Sequence, residues 1–138
     1  MRFPRPQRRP PVKLREEVLR EMVLLRERTP DISGSVACTV DGMTIACDSA
    51  GNAHGSSEQT AALSAALLAL SRRMTIMTCQ GVLEETLISG TAGFAAFYAA
   101  GPTIVLTVLA EPGTNLGLLR LEGRKTAASV AAIAARIH

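Results

Sequence analysis

The sequence predicts an α+β domain of profilin-like shape, in which one antiparallel sheet carries helices on both faces in the order α-β-β-α-β-β-β-α. Three observations support this class. Three stretches place apolar residues at helical spacing, short alternating or apolar runs lie between them, and the dipeptide Asp41-Gly42 divides the first pair of runs. Meandering strands with helices between and around them form a sheet that is covered on both sides.

Length and charge narrow the classes of function. A chain of 138 residues is one domain, and its 3% aromatic content argues against a stacking surface for nucleic acid. The formal charge is +3, but residues 1–13 contain five basic residues and no acidic one, so the remainder carries 3 − 5 = −2. A basic groove for nucleic acid is therefore not expected in the folded part.

Residues 1–12 differ in composition from the rest of the chain. Prolines and arginines dominate there, which predicts a disordered arm before a domain over residues 13–138. Any contact with a membrane would be indirect or would use this basic arm. Helix 1 is expected from about Lys13 to Arg28. The apolar residues of its buried stripe are Leu14, Val18, Met22 and Leu25.

A β-hairpin is expected after helix 1. Asp41-Gly42 is typical of a type I′ turn, which needs positive φ at both central residues. If these two residues are the whole turn, Val40 pairs with Met43 and Cys38 pairs with Ile45. One face of the hairpin would then carry Val36, Cys38, Val40, Met43, Ile45 and Cys47.

A second helix, from Ser56 to about Met74, is the most informative segment. Ser56 and Gln59 form a capping-box pattern at its start, and nine of the ten residues from Ala61 to Leu70 are apolar. A helix that is apolar all round needs cover on two sides. One side can pack on the sheet, so the other side is predicted to contact a second chain.

The two sides of helix 2 are assigned by helical periodicity, at 3.6 residues per turn. The stripe that we expect to face the sheet contains Leu63, Leu67, Leu70 and Met74. The opposite side, which we expect to be an exposed platform for another protein, contains Ala61, Ala65, Leu68 and Arg72.

Three further strands and a last helix complete the domain. A strand from Val82 to Ile88, followed by a turn at Ser89-Gly90, is expected at a sheet edge because it carries the charged pair Glu84-Glu85. The almost continuously apolar run Ile104–Leu109 is typical of a central strand. The last helix is expected to follow a cap at Asn115. Its apolar side would contain Leu116, Val130, Ile133, Ala134 and Ile137.

The sequence contains no pattern that favours an enzyme, a cofactor or a metal site. It lacks a GxxxxGK[ST] phosphate loop, and its three cysteines lack zinc-site spacing, so we expect them to be reduced and buried. His54 is expected to be a solvated loop residue rather than a base. Adjacent strand residues point to opposite faces, so Glu84 and Glu85 are not expected to form an acid–base pair. The absence of an apolar signal segment predicts a cytoplasmic protein.

Four strings of the sequence together resemble the Roadblock (dynein light-chain/late-endosomal adaptor) family, in its bacterial single-domain form. They are TPDISGSV after helix 1, VDGMTIA in the hairpin, EQTAALSAALLALSRRM in helix 2, and TVLAEPGTNLGLLR at the entry to the last helix. No single string is specific for the family, but the order and spacing of the four strings together are specific. The resemblance covers about Leu14 to Ile137.

The resemblance implies a five-stranded sheet with helix 2 on one face and helices 1 and 3 on the other. It also implies a homodimer, formed through helix 2 and the next strand, that regulates or scaffolds a Ras-like small GTPase. Some bacterial members activate the GTPase, and some are encoded beside a sensor kinase. The predicted interface residues are Ala61, Ala65, Leu68, Arg72, Glu84 and Thr86. The alternative, a small-molecule sensor of PAS or profilin-like shape, requires an internal pocket with convergent polar groups.

Overall fold

The computed structural model of the chain describes residues 9–49 and 56–137. Its elements follow the predicted order and are α1 (Val12–Arg28), β1 (Ile32–Thr39), β2 (Thr44–Ser49), α2 (Ser57–Met77), β3 (Thr86–Gly90), β4 (Gly93–Ala100), β5 (Ile104–Ala110) and α3 (Leu116–Ile137). The predictions for His54 and for most of the N-terminal arm lie outside the described residues.

The five strands form one antiparallel sheet in the order β2-β1-β5-β4-β3. One cluster of buried residues lies between the sheet and helices α1 and α3, and another lies between the sheet and α2. Strand β5 is central and contributes to both clusters, with Leu106 in the first and Val105 in the second. The predicted α+β class, strand number and helix placement are confirmed.

Helices α1 and α3 bury the stripes that their sequence predicts. Val18, Met22 and Leu25 of α1 and Val130 of α3 are fully buried. The side chain of Asn115 caps α3, because its Oδ1 accepts a hydrogen bond from Leu118 N at 3.1 Å. One glycine of α3 has a packing role, since a Cβ on Gly123 would lie 2.7 Å from Cε2 of Tyr98.

The predicted turn of the first hairpin is wrong. Only Gly42 of the Asp41-Gly42 pair has positive φ, at 91°, and Gly42 N donates to Thr39 O at 2.9 Å. The loop is therefore one residue longer than a type I′ turn. A bulge next to Ala37 follows from the extra residue, and Cys38 lies opposite Thr44 instead of Ile45.

The bulge changes which face of the sheet some hairpin residues occupy. Val36 and Cys38 contact the α2 side, as the predicted face requires, but Ile45 belongs to the cluster under α1 and α3. Val40 lies at the exposed turn. The predicted grouping of these residues on one face is therefore wrong from the turn to Ile45.

Strand β3 is an edge strand, as predicted, but it begins and ends later than predicted. It starts at Thr86, so Glu84 and Glu85 precede it, and Gly90 pairs with Gly93 across a turn at residues 91–92. The predicted turn at Ser89-Gly90 is thus wrong by two residues.

Within residues 9–49 and 56–137, no helix is both long enough and apolar enough to cross a bilayer.

Candidate protein-interaction site

Helix α2 packs on the sheet through small residues. Ser56 caps its first turn, because Ser56 Oγ accepts hydrogen bonds from the backbone N–H groups of Glu58 at 3.2 Å and Gln59 at 3.4 Å. The buried residues that follow on its inner side are Ala61, Ser64, Ala65 and Leu68. The inner side of α2 is thus mostly alanine and serine, with one leucine.

Two polar contacts fix the inner side of α2 to the sheet. Thr107 Oγ1, in the central strand, donates to Ser64 Oγ at 2.7 Å, and Ser64 Oγ donates to Thr60 O at 2.6 Å. Cys38 Sγ donates to Ala61 O at 3.5 Å, and burial raises the pKa of this thiol to about 11. A strand side chain that bonds a backbone carbonyl of the helix requires a close approach, and large side chains would prevent it.

The predicted orientation of α2 is therefore wrong. Leu63, Leu70 and Met74, which we expected in the core, are 71%, 64% and 63% exposed. Of the stripe assigned to the sheet, only Leu67 is partly buried. Ala61, Ala65 and Leu68, which we expected to form an exposed platform, are buried in the chain's own core. Helical periodicity placed the large residues in the core, but the close contact between helix and sheet selects small residues for the inner side.

The outer side of α2 continues into the edge strand β3. We define the α2–β3 surface by its exposed large apolar residues: Leu63, Leu70, Met74, Ile76, Met77, Val82, Leu87 and Ile88. Part of it is an open groove of about 810 Å³ whose walls include Leu70, Met74, Val82 and Leu87. Among residues 9–49 and 56–137, strand β3 pairs only with β4, which leaves its other edge without a neighbouring strand from this part of the chain.

The other predicted interface residues lie near this surface. Glu84 is exposed, Thr86 is half-buried at the start of β3, and both line the groove. Arg72 is half-buried and Arg73 is exposed, and neither forms an ion pair within the described part of the chain. The structure thus brings Glu84 and Thr86 together with Leu70 and Met74, which the sequence had placed in the core.

An ionic cluster joins α3 to the segment before β3. Glu85 Oε1 accepts hydrogen bonds from Arg120 Nε at 2.6 Å and Arg124 Nη2 at 3.0 Å, and Arg124 also contacts Glu84 Oε2 at 3.2 Å. Burial alone would raise the pKa of Glu85, but the hydrogen bonds and charges of the two arginines outweigh burial and lower it. The carboxylates of Glu84 and Glu85 therefore both contact Arg124. The sequence prediction had placed them on opposite faces of a strand.

The end of α2 has a strained backbone beside this surface. Gln80 N donates to Thr75 O at 2.9 Å and Cys79 N donates to Ile76 O at 3.2 Å, the pair of bonds that defines a Schellman motif. Cys79 occupies the left-handed position of that motif with φ of 56°, where glycine is usual. Cys79 and Cys47 are exposed and only Cys38 is buried, so the prediction of three buried cysteines is wrong.

The groove and the edge strand β3 fit the binding of another polypeptide. No group of three or more potential metal ligands occurs among the residues that the structure describes. An exposed apolar groove next to the edge of a sheet is a typical site for association with another polypeptide.

Known proteins match the chain over most of its length. The profile of the Roadblock/LC7 domain matches residues 18–110. The uncharacterised protein MJ1340 of Methanocaldococcus jannaschii is 32% identical over 114 residues, and the match covers 82% of this chain and 97% of that protein.

Two solved structures are similar to this fold. MglB in a tetrameric arrangement superposes with a TM-score of 0.81 at 18% identity, over 89% of this chain and 91% of that chain. A Roadblock/LC7 domain from Streptomyces avermitilis superposes with a TM-score of 0.71 at 24% identity, over 80% of this chain and 91% of that chain. At these identities the similarity shows the fold alone.

Proposed function

Because the chain belongs to the Roadblock/LC7 domain family, we propose that it is a non-catalytic, homodimeric regulator or scaffold for a Ras-like small GTPase in bacterial signalling. Family membership supports the choice of partner, since the resemblance in the sequence implies dimers that serve small GTPases. The proposal includes a cytoplasmic location and activation of the GTPase as one form of regulation.

The α2–β3 surface is the observation that carries the proposal. Monomeric soluble proteins rarely expose a contiguous apolar patch of many large residues. A second copy related by a two-fold axis would cover the outer side of α2 and the free edge of β3 with the same residues of its own. A stable dimer buries roughly 800 Å² on each partner, and large apolar side chains such as those of the α2–β3 surface are what such an interface covers.

The charged residues around the surface suggest where a GTPase would contact the dimer. Arg72 and Arg73 have no acidic partner within the described chain, so they are available to the carboxylates of a partner protein. Charged groups at the rim of an interface mainly set orientation and association rate. We therefore assign the large apolar residues to self-association and these two arginines to the GTPase.

Two leucine variants test the dimer with a matched control. Leu70 of α2 and Leu121 of α3 are exposed leucines on opposite faces of the sheet, at 64% and 56% exposure. Leu70→Arg should convert a dimer to a folded monomer, because it forces a charge into a desolvated contact. Leu121→Arg should change neither mass nor fold. Mass is measured by light scattering, and folding by circular dichroism.

The same variants test GTPase binding. The probe is the Ras-like GTPase encoded nearest to this chain's gene, loaded with GDP or with a non-hydrolysable GTP analogue. Wild type and Leu121→Arg should bind it, Leu70→Arg should bind weakly, and Arg72→Glu/Arg73→Glu should remain dimeric but bind weakly. A monomeric wild type would refute the dimer, and a dimer that ignores both nucleotide states would refute the GTPase assignment.

The sensor alternative makes a different prediction. The α2–β3 groove opens along the protein surface, and the buried clusters on both sides of the sheet consist of packed side chains. A small molecule that copurifies in stoichiometric amount, detected by mass spectrometry of the denatured protein, would favour the sensor over the GTPase regulator.

A further inference from the structure

Strand β3, at the edge of the α2–β3 surface, contributes little to the core of the domain. Thr86 is half-buried, and the four residues that follow it in the strand are exposed. Neither of the two buried clusters within the described part of the chain includes a residue of β3. A strand with so few buried contacts opens locally more easily than the core strands do. The position of β3 therefore depends on the contacts that fix its ends.

Two residues fix the segment that leads into β3, one on each face of the sheet. Leu83 packs against the buried cluster under α2. Glu85 contacts α3 on the other face, and only 9% of its side chain is exposed, although the side chain of the adjacent Glu84 is 77% exposed. A glutamate is almost never buried unless it is paired, so the partners of Glu85 determine whether this end of β3 stays in place.

Helix α3 supplies the charged partners of Glu85. Its Oε1 atom lies 2.5 Å from Arg120 Nη2 and 3.0 Å from Arg124 Nη2. Burial, and then the negative charge of Glu85, raise the pKa of the Tyr98 hydroxyl in β4 to about 12, as expected for a carboxylate close to it. Gly123 leaves space for this ring, since a Cβ there would lie 3.0 Å from the Tyr98 hydroxyl oxygen. Glu85 thus links the start of β3 to α3 and β4.

The same ionic cluster is part of the groove in the α2–β3 surface. Glu85 and Arg120 line this groove together with Leu70 and Met74 of α2. A displacement of Glu85 would therefore move one wall of the groove and the adjacent first residue of β3, Thr86. The two arginines are half-exposed, so water can solvate them if Glu85 loses its charge, and no unpaired charge is then left buried.

We infer that Glu85 is a positioning residue for self-association: held by Arg120 and Arg124, it fixes the start of β3 in the position that a second copy of this chain binds. The inference rests on the proposed homodimer. It gives α3 a role in that dimer, although α3 lies on the opposite face of the sheet from α2. Neutralising Glu85 should consequently weaken the dimer while every large apolar side chain of the α2–β3 surface is retained.

Two matched substitutions test the effect on the dimer. Glu85→Gln removes the buried charge, whereas Glu17→Gln neutralises another half-buried glutamate, which pairs with Arg136 of α3. The dissociation constant of the dimer is measured by sedimentation equilibrium at neutral pH, with circular dichroism as the folding control. Glu85→Gln should raise this constant on the order of tenfold, which corresponds to one hydrogen bond to a charged group. Glu17→Gln should leave it unchanged, because a loss of stability alone does not alter association between folded copies.

Hydrogen exchange tests the position of β3 without the dimer. The measurement is mass spectrometry of residues 86–90 in a Leu63→Arg background, which places a charge on the outer side of α2 and should keep the chain monomeric. Leu63 lies about two helical turns before Leu70, away from the ionic cluster. In this background Glu85→Gln should accelerate exchange of the β3 amides on the order of tenfold, and Glu17→Gln should not.

The outcomes separate this inference from the proposed function. A dimeric wild type whose Glu85→Gln variant has the same dissociation constant would overturn the inference and leave the homodimer standing. Unchanged exchange in β3, or an equal weakening of the dimer by Glu17→Gln, would overturn it as well. A wild type that is monomeric at every concentration would overturn the homodimer and this inference together, and that result is read from the wild type alone.

Discussion

The two sides of helix α2 have opposite relations between residue size and burial. Its inner side consists of Ala61, Ser64, Ala65 and Leu68, all buried, whereas its outer side carries Leu63, Leu70 and Met74 in contact with water. Both sides are apolar in sequence, and the outer one is the more hydrophobic. The difference shows that the distance between helix and sheet, and not hydrophobicity alone, decided which side became the core.

The physical reason lies in the contacts under the helix. The hydrogen bonds of Ser64 with Thr107 and of Cys38 with Ala61 O require the helix axis to lie close to β1 and β5. Large side chains at positions 61, 64 and 65 would lift the helix and break these bonds. The large apolar residues are consequently exposed and form a surface that can bind another protein. An amphipathic helix that buried its leucines would lack such a surface.

Truncating one leucine from each side gives the largest expected difference. Leu68→Ala should lower the free energy of unfolding by about 2–5 kcal/mol, because it creates a cavity in the core. Leu70→Ala should change the free energy of unfolding of the monomer by less than about 0.5 kcal/mol, since the side chain of Leu70 is exposed. Urea denaturation at low protein concentration, where self-association contributes little, measures both. Equal losses would mean that α2 has no distinct inner and outer side.

The buried hydroxyl pair under α2 gives the next largest effect. Ser64→Ala removes the acceptor of the Thr107 hydroxyl and should cost about 1–3 kcal/mol, because a buried donor is left unsatisfied. Thr107→Val in the Ser64→Ala background removes that donor and should recover part of the loss. A double-mutant cycle by urea denaturation measures the coupling. Additive losses would show that the two hydroxyls do not interact.

The ionic cluster that borders the outer surface should make stability depend on pH. The pKa of Glu85 is lowered in the folded protein because Arg120 and Arg124 outweigh the effect of burial. Its contribution to stability is therefore present above the ordinary carboxylate range and is lost as pH falls through the lowered pKa. The difference in unfolding free energy between wild type and Glu85→Gln should be largest near neutral pH and shrink in acid. A difference that is constant with pH would contradict a charged role for Glu85.

The smallest expected effect is at the end of α2. Cys79→Gly should stabilise the protein by about 0.5–1 kcal/mol, because glycine adopts positive φ without steric cost. Glycine also loses more conformational entropy on folding, and this loss is the reason that the expected gain is small. Cys79→Ala retains the Cβ and should show no such gain. Thermal unfolding under reducing conditions compares the two. A stabilising Cys79→Ala would indicate that the thiol, rather than the backbone, is unfavourable at this position.

Much of the fold could be predicted from the sequence because its signals are local. The cap at Ser56, the cap at Asn115 and the apolar run of β5 act within a few residues, and the structure confirms each of them. Predictions that needed a register between distant residues were less accurate. The hairpin turn at Asp41-Gly42 is longer than a type I′ turn, and the resulting bulge moved Ile45 to the other core cluster.

The candidate site was predicted only in part, for the same reason. Glu84 and Thr86 lie beside the α2–β3 surface, but the leucines and methionine that dominate it had been assigned to the core. The polar residues Ser64 and Thr107 are the one signal that pointed the other way, since a serine in an apolar helix can mark a hydrogen bond to a neighbouring strand. Their pairing joins residues 43 positions apart, which helical periodicity alone does not reveal.

By itself, the sequence determined the order of elements, the α+β class, the central position of β5 and the family, because periodicity, caps and turn residues act over short distances along the chain. Only the tertiary structure decided which side of α2 faces the sheet and that Glu84 and Glu85 both contact Arg124. It also placed Arg9 and Pro10 in a groove beside β2. These outcomes depend on how closely a helix can approach a sheet and on which distant atoms then come within hydrogen-bonding distance. A helix that is apolar all round satisfies the local pattern in either orientation. The packing of the whole domain therefore determines which side of α2 faces the sheet.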